Sequence, residues 1–193
     1  YVKDSMLPYG HLRDSRHSSP RAETIVVTKC PENMTPIDRR MVYLDLAVLP
    51  YQHLFFTQMH YGEIRPVFDA KTDVQLSECS VCLFTGIASP KYVQEYLEQK
   101  VKLLKTIAFP DHHSFTKKDF LRIEKEFGAM PSENKILLTT EKDAMRLRSS
   151  QHFPEHLKSM VYYLPIEIQV MDNHLDKFIQ NIKAYVRENK RNS

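Results

Sequence analysis

Apolar and polar positions alternate with different periods along the chain, and each change of period marks an element. "TIVVTKC" (24–30) is a β-branched run bounded by polar residues and predicts a buried strand. "TPIDRRMVYLDLAV" then takes helical spacing, with Thr35 placed to cap the helix and Pro36 at its first position. Residues 53–68, "HLFFTQMHYGEIRPVF", predict two short extended stretches about Gly62, a hairpin or a bent strand pair, followed by the polar link "AKTDVQLSE". Beyond it the pattern alternates regularly. "CSVCLFT", "VKLLKTIAF" and "NKILLTT" predict strands; "SPKYVQEYLEQK", "TKKDFLRIEKEF" and "EKDAMRLRS" predict the helices between them. "MVYYLPIEIQV" predicts one more strand, and a final helix gathers Leu175, Phe178, Ile179, Ile182, Tyr185 and Val186 on one face. This is the pattern of an α/β protein with a mostly parallel sheet and covering helices. No internal repeat interrupts it.

Composition narrows the class of protein without choosing its chemistry. With 193 residues and 42% hydrophobic content, the chain can bury a real core, and its length falls between one large domain and two small ones. A net charge of +3 is too small an excess for a nucleic-acid face. The basic end "RENKRNS" reads as a solvated terminus. No apolar run approaches the roughly 20 residues of a membrane span and no signal peptide opens the chain, so the expectation is a soluble protein that at most lies on a membrane. Three cysteines, an odd number, argue against a disulfide framework. Cys79 and Cys82 make half a zinc site at best, and their apolar run predicts burial instead.

Candidate chemistry gathers in the loops that follow three of the strands. In an open α/β sheet, ligands bind where strands end at their carboxyl edge. "GIASP" (86–90), "FPDHHSF" (109–115) and "TTEKD" (139–143) occupy that position, and parallel strands would bring them to one edge. Turn chemistry accounts for Gly86, for Ser89 as a cap and for Pro90 at the first helical position. Thr140 and Asp143 fit a capping pattern. In the middle loop the cap is Thr116 with Asp119 three residues on, so Asp111, His112 and His113 are not needed to start the helix. Adjacent titratable groups at a strand's end suit proton handling, since imidazole works near neutrality and a carboxylate can orient it. Near the other end, Arg13 and Asp14 lie in the loop "LPYGHLRDS"; an Arg forks onto phosphate oxygens, and an acid beside it can hold Mg²⁺ or balance the Arg as a surface pair.

Taken in order, "LPYGHLRDS", "RAETIVVTKCP", "FTGIASP", "FPDHHSF" and "TTEKDAMRL" resemble the tetraacyldisaccharide 4'-kinase family, the lipid A 4'-kinases of Gram-negative bacteria. Any one segment is weak; five in matching order and spacing, over residues 7 to about 147, are specific. The resemblance implies a P-loop NTPase-like (Rossmann-like) fold, with a smaller C-terminal domain facing the kinase core across the active site. It implies transfer of the ATP γ-phosphate to the 4'-hydroxyl of a tetraacyldisaccharide 1-phosphate, with ATP and Mg²⁺, by a peripheral, monomeric enzyme at the cytoplasmic face of the inner membrane. Residue by residue it makes Arg13, Asp14, Asp111 and His112 catalytic, with Asp14 a Mg²⁺ ligand and His112 supporting the group that accepts the 4'-hydroxyl proton. His113, Gly86, Thr140, Glu141 and Lys142 would bind substrate or shape the cleft.

Two departures qualify that picture. The chain holds no G-x-x-x-x-G-K-[ST] segment and no paired-acid Mg²⁺ segment, and it starts abruptly at Tyr1. The expectation is a C-terminal portion of the kinase, with the N-terminal part of the core absent, inactive alone. Residues 1–50 would then be a remnant of the core, 51–77 a two-stranded connector and 78–193 a C-terminal α/β domain, either separate or packed with 1–50 as one unit. The second departure is Asp14, where the family usually has Glu, so the carboxylate reaches one methylene less far. Two other classes compete. "DHH" also occurs in metal-dependent DHH phosphoesterases, which need further acidic ligands, and Asp69 and Asp73 are poor candidates on a polar link. The other alternative is a non-enzymatic binding module.

Overall fold

The computed structural model describes Leu7 and residues 12–69 and 74–191; for residue 16 and residues 188–191 it describes the backbone only. The chain divides into two compact units, residues 1–60 with 167–193, and residues 61–166. The stretch expected as a connector, 51–77, is thus shared between the two units.

In the first unit, β1 (Thr24–Val27) leads through α1 (Pro36–Asp45) to β2 (His53–Tyr61), which runs parallel to β1 with Thr24 opposite His53. This is the βα unit that the sequence pattern predicts. Thr35 starts α1 by a full capping box. Its hydroxyl accepts from the Asp38 N–H at 3.2 Å, and the Asp38 carboxylate accepts from the Thr35 N–H at 2.8 Å, so two donors at the helix start are satisfied. The third strand of this sheet is β8 (Ile166–Val170), in the order β1-β2-β8. The closing helix α5 (Leu175–Arg191) sets Phe178 edge-on against Phe55, with ring centres 5.1 Å apart.

In the second unit a five-stranded sheet has the order β3-β7-β6-β4-β5, formed by β3 (Arg65–Pro66), β4 (Ser80–Thr85), β5 (Leu103–Ala108), β6 (Lys135–Thr140) and β7 (Val161–Leu164). All neighbours are parallel except β3, an antiparallel edge on β7. Side chains alternate across the central strands. Cys82 and Phe84 of β4 and Leu137 of β6 pack with Phe120, Ile123 and Phe127 of α3 (Lys117–Gly128) and with Leu147 of α4 (Glu141–Arg148). Val81, Leu83, Ile136 and Leu138 face the other way, onto Val93 and Leu97 of α2 (Lys91–Glu98). A sheet covered on both faces explains why β4 reads as an unbroken apolar run, since every one of its residues is buried. Each buried Leu or Phe there is worth about 1.5–3 kcal/mol relative to exposure. Cys79 and Cys82 are part of this packing, and burial pushes the Cys82 thiol up to about 11, so it stays protonated and inert at neutral pH.

Three local expectations are corrected. Residues 53–68 do not form a hairpin: β2 pairs with β1, whereas β3 pairs with β7 in the other sheet. "MVYYLPIEIQV" is two strands that join different sheets, divided at Pro165, which has no N–H to extend a ladder; its carbonyl instead accepts the Gly62 N–H at 3.1 Å. Finally, α2 begins at Lys91, so Pro90 rather than Ser89 holds the cap position, with no side-chain cap bond.

Candidate active site

Because β5, β4 and β6 are adjacent and parallel, the loops that follow them emerge at one carboxyl edge, as the sequence predicts. The three loops are fastened together by hydrogen bonds. Asp143, in the first turn of α4 and fully buried, is the centre. Its N–H donates to the Thr140 hydroxyl at 3.2 Å, the N-cap bond that starts the helix. Its Oδ2 accepts from that hydroxyl at 2.8 Å and from the Gly86 N–H at 2.9 Å, so the loop after β4 is tied to α4. Its Oδ1 accepts from Arg146 Nη1 at 3.0 Å. Gly86 in turn accepts from the His112 N–H at 3.2 Å. A Cβ at Gly86 would lie 3.1 Å from the His113 Cβ and 3.3 Å from the Pro110 carbonyl, so this approach of two loops requires glycine or a shift of one of them.

The two histidines of "FPDHHSF" have opposite surroundings. His113 turns inward: its ring stacks on Phe109 at 4.8 Å, meets Phe115 edge-on, and its Nε2 lies 3.0 Å from Asp119 Oδ2. Asp119 also completes the capping box of α3, accepting from the Thr116 N–H at 2.8 Å. His113 is therefore built into the loop's packing. His112 turns outward and is largely exposed, in a left-handed backbone conformation with φ of 58°. Its N–H is shared with Asp111 Oδ1 at 2.9 Å, its Nε2 stands 3.5 Å from Asp111 Oδ2, and its Nδ1 stands 3.5 Å from Arg146 Nη2. Lys142 Nζ lies 3.6 Å from the other oxygen of Asp111, and Glu141 is exposed at the start of α4.

Partial burial alone would raise the Asp111 carboxyl, but the His112 N–H, the His112 ring and the Lys142 ammonium together hold it below the usual carboxylate range. Asp111 is thus an exposed carboxylate beside Lys142, and a second cation of α4, Arg146, reaches the neighbouring His112. Such a group can accept a hydrogen bond from a hydroxyl, and the flanking cations suit an anionic ligand.

For Asp119, burial raises the carboxyl and is outweighed by the Thr116 hydroxyl, the Thr116 N–H and His113, leaving it lowered. A depressed carboxyl contributes stability that is present above its unfolded value and is lost as pH falls through the lower folded value. The first turn of α3 should therefore stay protected at pH 5 and loosen below about pH 4. The Thr116 amide, followed by hydrogen exchange against pH, checks this; Asp119→Asn should abolish the acid-dependent part.

Arg13 and Asp14 belong to the first unit. Arg13 is exposed, and Asp14 is engaged on both oxygens: Oδ1 by Ser18 Oγ at 2.9 Å and the Ser15 N–H at 2.7 Å, Oδ2 by Arg21 at 2.9 Å. The Ser18 hydroxyl, then the Ser15 N–H, with Arg21 adding to them, lower its carboxyl. Oδ2 keeps a lone pair beyond its one bond, so an exposed carboxylate of this kind can still take a hard cation such as Mg²⁺. Among the described residues no group of three or more His, Cys, Asp or Glu side chains could hold a metal. Asp73, weighed as a ligand for a phosphoesterase, lies outside the described residues, as do positions 8–11 of "LPYGHLRDS" and the last two residues of the basic terminus.

The site thus brings together Gly86, Asp111, His112, Thr140 and Lys142, with His113 behind them. Sequence reasoning reduced Asp143 to a cap and passed over Arg146. Their i, i+3 spacing in "EKDAMR" was the available signal, but it does not reveal that the carboxylate is buried or that the guanidinium reaches another loop.

A doubly covered α/β unit whose acid, imidazole and cations meet at the carboxyl edge of its parallel strands defines a class of ligand-binding or group-transfer protein. The model of the family Tetraacyldisaccharide-1-P 4'-kinase matches residues 1–184, and the chain belongs to that family. It is 40% identical over its whole length to the tetraacyldisaccharide 4'-kinase of Bacteroides thetaiotaomicron, covering 54% of that protein, and 39% identical to that of Bacteroides fragilis, covering 53%. Against the Flavobacterium johnsoniae enzyme it is 36% identical, with 98% of this chain and 52% of the relative covered. The chain spans about half the length of the curated relatives it matches. Among solved structures, LpxK from Aquifex aeolicus in complex with ATP is similar in fold, with a TM-score of 0.58 and 21% identity over 94% of this chain and 49% of that one. The expected α/β, P-loop-kinase-like architecture is borne out by this likeness.

Proposed function

We propose that this chain is the carboxyl-terminal portion of an ATP-dependent tetraacyldisaccharide 4'-kinase, which transfers the γ-phosphate of ATP to the 4'-hydroxyl of a tetraacyldisaccharide 1-phosphate. The observation that carries the reading is the family match over residues 1–184, and the exposed Asp111–His112 pair at the strands' carboxyl edge supports it. Phosphoryl transfer asks a protein mainly for positioning and charge stabilisation. Asp111, held ionised, accepts a hydrogen bond from the sugar hydroxyl or from the group that takes its proton, and His112 orients that carboxylate. Lys142 and Arg146 offset negative charge that gathers as the phosphoryl group moves. His113, Gly86 and Thr140 keep the loops in place, and Glu141 is exposed beside them at the start of α4. Arg13 and Asp14 are assigned to the phosphate side of the reaction on family resemblance alone. Bound Mg²⁺ would neutralise charge on the phosphates, and Asp14 is the carboxylate of this chain that would help to hold it. No nucleotide cradle of the G-x-x-x-x-G-K-[ST] type is among these residues, so the 193-residue chain by itself is expected to transfer no phosphate.

The lipid substrate places the enzyme peripherally at the cytoplasmic face of the inner membrane. No helix among the described residues is long and apolar enough to cross a membrane, which is compatible with that placement. The test is phosphorylation of the disaccharide 1-phosphate by radiolabelled ATP, using the full-length protein and, beside it, the 193-residue chain. Transfer by the full-length protein alone is expected. No transfer by a folded full-length protein refutes the proposal.

A further inference from the structure

The first unit carries a cavity that the proposed reaction does not use. It opens between α1 and the start of α5, over the amino end of β2, and its volume of about 560 Å³ is that of a small-molecule site. Its apolar floor is residues 54–56 of β2, and its walls are basic: Arg39 and Arg40 from α1 and Lys177 from α5, with His53 and His174 beside them. No carboxylate is among the residues that line it. Ligands of an open α/β sheet gather at the carboxyl edge of its strands, whereas this cavity lies at the amino end of β2.

The walls are held by their own contacts. Arg39 Nη1 pairs with Asp172 Oδ1 at 2.9 Å and its Nη2 donates to the Met34 carbonyl at 3.0 Å, while its Nε is buried with no hydrogen-bond partner among the described residues. Asp172 reaches Arg39 from a turn in which it and Asn173 both take left-handed backbone angles, φ of 61° and 55°, a conformation kept only where the surroundings hold it. Phe178 packs edge-on against Phe55 and fixes α5 on the floor. Arg40 and Lys177 are different. Both are exposed, and among the described residues no carboxylate pairs with either.

Cations gathered about one cavity repel one another and are relieved by an anion. A phosphate monoester suits these walls better than a carboxylate does, because it brings nearly two negative charges and three strong acceptor oxygens to two unpaired cations and an unpartnered guanidinium N–H. The apolar floor then takes the organic body of the molecule.

We infer that this cavity binds a phosphate monoester, with Arg40 and Lys177 taking its charge and Arg39 donating to it once the guanidinium turns its Nε outward. The phosphate belongs either to a soluble molecule or to a lipid headgroup, and the two sources separate by experiment.

The test uses full-length protein labelled with ¹⁵N at histidine and saturated with a non-hydrolysable ATP analogue and Mg²⁺, so that a nucleotide site is filled. The probe is inorganic phosphate at about pH 7.5, where free imidazoles are mostly neutral. The ring signals of His53 and His174, assigned by their loss in His53→Gln and His174→Gln, should shift saturably at millimolar phosphate or below. In a second arm the protein is sedimented with phosphatidylcholine vesicles with and without phosphatidic acid, itself a phosphate monoester. The double variant Arg40→Ala, Lys177→Ala should weaken phosphate binding, or the extra binding due to phosphatidic acid, about tenfold or more. Both changes are at exposed side chains, so the melting temperature should hold. Lys118→Ala, an exposed cation of the second unit, should change neither arm. A response to phosphate assigns a soluble ligand, and a response to phosphatidic acid alone assigns a lipid. No saturable response in either arm overturns the proposal, as does a double variant that binds like the wild type or a Lys118→Ala effect of equal size.

Discussion

Replacing His112 by Ala in the full-length protein lowers kcat by about 10²-fold or more, the usual cost of losing a group engaged in proton transfer. The imidazole is exposed and makes no packing contact that its removal would collapse, so the fold should persist and the melting temperature stay within a few degrees. What disappears is the partner of Asp111 Oδ2 at 3.5 Å. With one neighbour lost, the Asp111 carboxylate remains ionised through Lys142 and the backbone N–H, both on Oδ1, but its Oδ2 loses the ring that helps to orient it. A misplaced acceptor costs rate far more than it costs binding, because alignment is needed most in the transition state. KM should therefore change little. A kcat within twofold of the wild type would make His112 a surface residue and leave Asp111 to act unaided. His113→Ala differs in kind: its ring stacks on Phe109 and pairs with Asp119, so loss of stability should precede any specific effect on rate.

The difference between those neighbours marks how far the sequence can be read. Strands β4 and β6 were legible because a sheet covered on both faces demands apolar runs, and the helices after β5 and β6 because Thr116–Asp119 and Thr140–Asp143 announce their starts. The shared edge of the three loops followed from parallel pairing. Which histidine turns outward was not legible, since adjacent identical letters carry no direction; the left-handed backbone at His112 decides it. The partner of β2 was hidden for a related reason. Alternation specifies that "HLFFTQMHY" is a strand, whereas its neighbour is set by the crossover through α1, and the turn about Gly62 proved irrelevant to its pairing. Pro165 could have been read as a break in "VYYLPIEI", because a residue without an N–H cannot continue a central ladder. Burial of a charged side chain is harder still. Asp143 looks like any capping aspartate until Gly86, 57 residues earlier, is brought against it.

That long-range contact makes Asp143→Ala the most destabilising polar substitution expected in the second unit. The change deletes the acceptor of the Gly86 N–H and of the Thr140 hydroxyl in a place water does not reach, and each orphaned buried donor costs about 1–3 kcal/mol. Arg146 loses its partner as well, but its side chain is 29% exposed and can turn to solvent, so the penalty for an unpaired buried charge does not apply in full. The sum is about 3 kcal/mol, which for a chain of this size lowers the melting temperature by roughly 6–12 °C. Asp143→Asn separates the parts. Its amide oxygen still accepts from Gly86 or Thr140, and only the charge that clamps Arg146 is removed, so about 1 kcal/mol is expected. Thermal melts of the two variants beside the wild type measure the difference. If Ala and Asn prove equally mild, the buried carboxylate is not what ties the loop after β4 to α4, and the packing of Gly86 against His113 and Pro110 must hold that edge instead.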